Sequence, residues 1–283
     1  MSADTFADTL RREDPARYLA SLFAPAPVRA NLWALYAFNA EIARIPASVS
    51  EAVIGEMRLA WAREALADLY ARPPRVRRHP VYEALAILRD QPGAPDEALL
   101  AGLVEARNAD LGEGAFPDAA ERDAYIDRTA GTLMRAGARL CAPDWQPGEE
   151  AERALTAAVR LWGYTGLLRD FARLCAAGRP PVTQDELEAS GASVETLRRG
   201  LQPEAAIKAR QGLVDRARQA ASELSAARRS LPAPVFPAIG YAVLARGHLA
   251  AARRPADPYN CAPADNPLGA QLALLWASVT GRV

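Results

Sequence analysis

Residues 24–45 read APAPVRANLWALYAFNAEIARI. Pro27 stands where a first-turn proline is tolerated, because an N–H there would have no intrahelical partner. After it Leu32, Leu35, Tyr36 and Ile42 recur at helical spacing and mark one apolar face. The stretch predicts a helix from Pro27 to about Ile45, and its period sets the reading of what lies on either side.

Upstream, Asp14-Pro15 is a cap followed by a first-turn proline and predicts the first helix. Downstream, Ser50 is placed to cap a helix reaching about Arg72, with Ile54, Met57, Trp61, Ala65 and Leu69 three or four apart. Residues 72–80 form a Pro/Arg-rich loop. Further helices are expected at about 80–91, 95–112, 118–142 and 147–177, short ones near 184–190 and 193–200, and long ones at about 203–230, 234–254 and 266–281. No run alternates apolar and polar residues with β-branched enrichment. The expectation is an all-α protein of about ten to twelve helices, one domain over 1–283, with no solenoid repeat.

Half of the 283 residues are hydrophobic, which excludes disorder. Thirty-four basic residues balance thirty-four acidic ones, so nucleic acid is not an expected partner. Lys208 is the only lysine, and this arginine and alanine bias fits a GC-rich bacterial genome. Cys141, Cys175 and Cys261 are too widely spaced for a disulfide framework or zinc knuckle, and are expected as small buried hydrophobes. The opening MSADTFADTLRRED has no secretory pattern, and no stretch of spanning length is continuously apolar. The chain is therefore expected in the cytoplasm, with peripheral association at the inner face of the membrane left open. The arginines at 72, 75, 77 and 78 are read as either a solvated loop or a contact for anionic lipid or an acidic partner.

Three segments carry a family resemblance. Residues 24–45 resemble the segment that leads into the aspartate-rich motif of the squalene/phytoene synthases. Tyr125 to Thr132, YIDRTAGT, and Thr165 to Leu187, TGLLRDFARLCAAGRPPVTQDEL, are similar to two further segments of that family, and ARRSLPAPVFPAIGYAVLARGHLA fits its last helical pair. The resemblance implies an isoprenoid-synthase-type helical bundle around a central cavity. It also implies head-to-head condensation of two allylic diphosphates, with magnesium held by D-x-x-x-D pairs on facing helices. Such spacing sets two carboxylates on one helix face, and magnesium favours carboxylates and phosphate oxygens.

The acids themselves are missing. Aligned on Leu35-Tyr36-Ala37-Phe38, the first motif falls on Ala43, Arg44 and Ala47, with Pro46 inside it. In the second, Arg169 and Asp170 match, while Arg173 and Leu174 stand where acids should and Gly166 replaces an asparagine. The stretch AFNAEIARIPASVSEAVIGEMRLAWAREALADLY further resembles the metal-motif-lacking branch of the family represented by the mitochondrial complex I assembly factor. That resemblance implies a non-catalytic protein acting in assembly of respiratory complex I, the NADH:quinone oxidoreductase, with its subunits or assembly factors as partners.

The candidate residues follow. Tyr125, Arg169, Asp170 and Arg179 are the vestigial catalytic set, or for Arg169 and Asp170 a structural ion pair. Tyr36, Phe38 and Tyr125 are cavity-lining or ordinary core aromatics, and Trp61 shares that choice. Arg44 and Arg173 are cations able to meet a phosphate at the mouth of a cavity holding an isoprenoid, quinone or lipid. Asn39, Glu41, Ser50, Arg58 and Trp61 are the partner or branch-specific set. No metal or cofactor is expected, magnesium entering only if the chain is an active prenyltransferase using farnesyl or geranylgeranyl diphosphate.

Overall fold

The computed structural model describes residues 3–252, 257–259 and 266–281. Cys261 and the end of the helix expected at 234–254 lie outside them. The α-helices, in chain order, are α1 Ala3–Glu13, α2 Pro15–Ser21, α3 Ala26–Arg44, α4 Ala52–Tyr70, α5 Pro80–Leu88, α6 Glu97–Ala106, α7 Ala119–Ile126, α8 Thr132–Cys141 and α9 Glu149–Arg169. They continue as α10 Phe171–Ala176, α11 Gln184–Ser190, α12 Val194–Arg198, α13 Pro203–Ala209, α14 Gln211–Ala227, α15 Phe236–Ile239, α16 Ala242–Ala252 and α17 Pro267–Thr280. The described residues hold no strand, only an isolated bridge between Phe116 and Thr183. The protein is all-α.

There are more helices than the sequence pattern predicts, for local reasons. The expected helix at 118–142 is divided into α7 and α8 by a π turn over Asp127–Gly131. That at 147–177 stops at Asp170, whose ψ of 5° leaves the helical region. Those at 203–230 and 234–254 each divide again, before Gln211 and around Gly240. A helix also precedes the expected first one: Asp14 caps α2 through the amide of Arg17, but α1 comes before it. Ser50 is not the cap of α4. The N-cap is Glu51, which makes no side-chain cap bond.

The chain forms two compact units, each discontinuous in sequence. The first comprises Met1–Leu111, Thr132–Pro147 and Pro232–Tyr241. Its centre is α3, packed against α1, α2, α5 and α8, while α15 packs on α2 and α8 and α4 packs on α6 and α5. Leu32, Leu35, Tyr36 and Ile42 are all buried, as the pattern on α3 predicts. Arg17 is buried with them, paired to Asp14 at 2.5 Å, its guanidinium 4.9 Å from the Tyr241 ring and 5.7 Å from the Tyr36 ring.

The second unit comprises Gly112–Gly131, Gly148–Leu231 and Ala242–Val283. Here α9 is central, packed by α14, α16 and α7, and α17 rests on α16. Gly163 permits the close approach of α9 to α7, since a Cβ there would lie 2.3 Å from Ile126. The face of α17 turned away from its buried Leu274 and Ala277 exposes Leu268, Leu272, Leu275, Trp276 and Val279. No single helix among the described residues is long and apolar enough to cross a membrane.

Candidate functional site

In the first unit, α3 ends at Arg44 and the chain tightens into a 3-10 turn over Pro46–Ser48. Proline has no N–H to continue the helical ladder. Ala43 and Arg44 are therefore the end of a helix and Ala47 lies beyond it. Arg44 donates to Glu41 at 2.8 Å and to Glu13 of α1 at 3.1 Å. Glu41 also lies 3.9 Å from His79. Tyr36 and Phe38 are core side chains of this unit, Phe38 set edge-on to Tyr82 at 6.3 Å.

In the second unit, α9 ends at Arg169 and α10 begins after Asp170. Asp170 accepts from Arg173 at 2.7 Å and lies 3.4 Å from Arg169. Leu174 is buried. The Arg169 guanidinium also sits 5.7 Å from the Trp162 ring, and Trp162 lies 6.4 Å from His248. Burial, and then the charge of Arg169, lower the His248 pKa to about 4, so its ring is neutral near pH 7. Tyr125 is partly buried 5.5 Å from Phe116, and Arg179 is partly buried on the chain that follows α10.

Within the same unit is an acid pair the sequence reading missed. Asp123 and Asp127 stand at i and i+4 across the start of the π turn. Arg160 of α9 meets them at 2.7 and 2.6 Å, and the Tyr164 hydroxyl donates to Asp123. Burial and this hydrogen bond push the Tyr164 pKa up to about 12. The D-x-x-x-D spacing was the available signal: Asp127 lies within YIDRTAGT and Asp123 two residues before it. The adjacent Arg122 is almost wholly buried and forks onto Glu186 at 2.6 and 2.9 Å. Every carboxylate of this set thus has a guanidinium or phenol as its partner.

These residues do not fit a magnesium site of the expected kind. Such a site needs several carboxylates left free to take up ions. The motif positions hold alanine, arginine and leucine, and Asp170 is shared between two arginines. Among the described residues no group of three or more His, Cys, Asp or Glu side chains is placed to hold a metal ion. Neither described cysteine offers a nucleophile instead: burial pushes both Cys141 and Cys175 up to about 12, far from the thiolate.

The partner or branch-specific residues gather on the first unit. Asn39 accepts from Arg107 at 3.2 Å, and Arg58 donates to Ser48 at 3.0 Å. Ser50 is exposed, and Glu41 holds the pairs given above. Trp61, 42% exposed, meets Tyr82 at 5.4 Å and His79 at 6.3 Å, edge to face. The face predicted for α4 divides accordingly. Ala65 and Leu69 are buried, whereas Ile54, Met57 and Trp61 are at the surface, and the helix buries Leu59, Ala62 and Leu66 instead. In the loop that follows, Arg75 and Arg77 both pair with Asp68 at 2.6 Å.

Comparison with known proteins adds three findings. The profile of the squalene/phytoene synthase family matches residues 10–269. Complex I assembly factor 6 of Homo sapiens is 33% identical over 130 residues, which are 45% of this chain and 37% of the human protein, so the match spans well under half of that relative. The Mus musculus protein is 32% identical over 128 residues, again 45% and 37%. Among solved structures, a dehydrosqualene synthase in complex with ligand aligns with a TM-score of 0.75 at 17% identity, covering 98% of this chain and 95% of that one. The squalene synthase HpnC from Alicyclobacillus acidocaldarius aligns at 0.66 and 19%, covering 99% and 94%. At these identities the two structures establish the fold and nothing further.

Proposed function

This chain belongs to the squalene/phytoene synthase family, and from that premise we propose that it is a non-catalytic member acting in assembly of respiratory complex I, at the inner face of the membrane that carries it. The observation that carries this reading is the chemistry at the two motif positions. An ionising diphosphate needs metal-borne positive charge where the leaving group departs. Here Ala43, Arg44, Ala47, Arg173 and Leu174 supply no oxygen ligand, and the remaining Asp170 is neutralised by its own neighbours. The likeness to complex I assembly factor 6 of human and mouse supplies the direction of the alternative role. Fold alone would not, since one fold hosts unrelated functions.

A second reading has a specific observation in its favour. Tyr125, Arg169, Asp170 and Arg179 are retained from the family's motifs, within a profile match that spans most of the chain. An active prenyltransferase would use them with farnesyl or geranylgeranyl diphosphate and magnesium.

Two measurements separate the readings. Deletion of the gene is expected to lower membrane NADH dehydrogenase activity and the amount of assembled complex on native gels. Purified protein is expected to release no diphosphate from either substrate, with or without magnesium. Normal complex I in the deletion strain would sink the assembly role, and magnesium-dependent product would establish the synthase.

A further inference from the structure

Helix α4 has two apolar faces. Leu59, Ala62, Leu66 and Leu69 are buried. The second face, Val53, Met57 and Trp61 at i, i+4 and i+8 with Ile54 beside them, is 54%, 69%, 42% and 38% exposed. Large apolar side chains arranged as one stripe on a helix are the usual form of a helix-docking surface.

The charges beside the stripe identify what it suits. Positions 56, 60 and 64 form the neighbouring row on the helix, one row being four residues per step. They are Glu56, Ala60 and Glu64, and Glu51 stands at the N-cap. Among the described residues none of the three glutamates makes an ion pair, and all three are exposed. Arg63 is paired with Glu105, and Arg75 and Arg77 with Asp68, while Arg58, which donates to Ser48, stands on the opposite flank of the stripe from Glu56 and Glu64. The apolar stripe is therefore edged with negative charge along the flank that carries Glu56 and Glu64.

We propose that this face of α4 docks an amphipathic helix of a partner protein, apolar along one stripe and carrying lysine or arginine on the flank that lies over Glu56 and Glu64. Charge complementarity of this kind selects partner and register. A bilayer is the poorer occupant, because anionic headgroups would face Glu56 and Glu64 along the flank of the stripe. The apolar face of α17 differs here, since that helix contains no charged residue at all. The proposal rests on reading the chain as an assembly protein, which makes binding rather than turnover its task.

The test uses the full chain and two labelled synthetic helical peptides, identical in their leucine stripe and differing only in lysine or glutamate on one flank. Fluorescence anisotropy is expected to show the lysine peptide binding at least about tenfold tighter, a gap of about 1.4 kcal/mol, that narrows as salt screens it. Glu56→Gln/Glu64→Gln should close the gap. Met57→Ser/Trp61→Ser should weaken the lysine peptide by about tenfold or more, whereas Leu272→Ser/Trp276→Ser on α17 should leave it unchanged. All of these side chains are surface-exposed, and circular dichroism checks that each variant is folded. Equal binding of the two peptides overturns the proposal, and so does binding indifferent to Met57 and Trp61. It is also overturned if those two residues serve instead to hold phosphatidylglycerol vesicles or a second copy of the chain. Failure here is distinct from failure of the assembly role. If the deletion strain lacks complex I and the Met57→Ser/Trp61→Ser protein restores it fully, the role stands and the docking face falls. If the deletion strain is normal, the role falls whatever the peptides do.

Discussion

At the end of α3, Arg44 reaches back three residues to Glu41, and just past the end of α9, Arg173 of α10 reaches back three residues to Asp170. Both are places where the resemblance to the family implies acids, and both hold an i,i+3 ion pair formed by an arginine. Their surroundings differ. The α3 pair is tied across the first unit, Arg44 to Glu13 thirty-one residues away and Glu41 towards His79. The helix stops there, so position 47 is not on the face of position 43. The α9 pair is closed among neighbours in sequence, Arg169, Asp170 and Arg173, above Trp162 and His248. The first motif has lost its acids and its helical register together. The second keeps one acid, Asp170, at a break between two helices, with arginine on either side of it.

The largest effect is expected away from both ends and sets their scale. Arg122 is buried and forked onto Glu186, so Arg122→Met strands a half-buried carboxylate and should cost about 3–5 kcal/mol in urea unfolding. A loss no larger than that of the motif arginines would remove the distinction between structural and surface pairs on which the comparison depends.

A smaller effect should belong to the second unit, through His248. Its folded pKa of about 4 lies below the ordinary 6.5, so the folded state binds fewer protons than the unfolded one between those values. Stability from the neutral ring is complete above about pH 6.5 and is lost as pH falls towards 4. The loss is about 2 kcal/mol once solvent screening of a partly exposed ring is allowed for. His248→Asn should flatten that part of the stability–pH curve. Arg169→Gln should raise the His248 pKa in an NMR titration, because it removes the second cause of the depression. An unmoved titration would detach His248 from the end of α9.

Much of this was legible in the sequence because helix periodicity and capping act locally. The buried face of α3, the start of α2 at Pro15 and the bounds of α11 are set by residues within one or two turns. The loss of motif acids was legible for the same reason, being a matter of which residue stands where. Three things were not. The face of α4 was misread because Met57 and Trp61 share the spacing of a core stripe, and only packing against α5 and α6 decides that Leu59, Ala62 and Leu66 go inward. The break at Asp170 and the π turn at Asp127 have no proline to announce them. The grip of Arg160 on Asp123 and Asp127 joins residues more than thirty positions apart. No window of local sequence contains it.

The smallest effect bears most directly on the two motif ends. Arg44 and Arg173 are each more than half exposed, and their pairs are screened by water. Arg44→Ala and Arg173→Ala should each change stability by less than about 1 kcal/mol, as exposed ion pairs do. The two should still differ in order. Arg44 bridges α1 and α3, so its removal loses two pairs, one of them between helices, whereas Arg173 loses only a contact within its own turn. A double variant should add, because the residues share no partner. If Arg173→Ala proves the costlier, the end of α9 carries more than its local pairs. Asp170, the one acid kept from the motif, would then be held in place for a reason that stability alone does not supply.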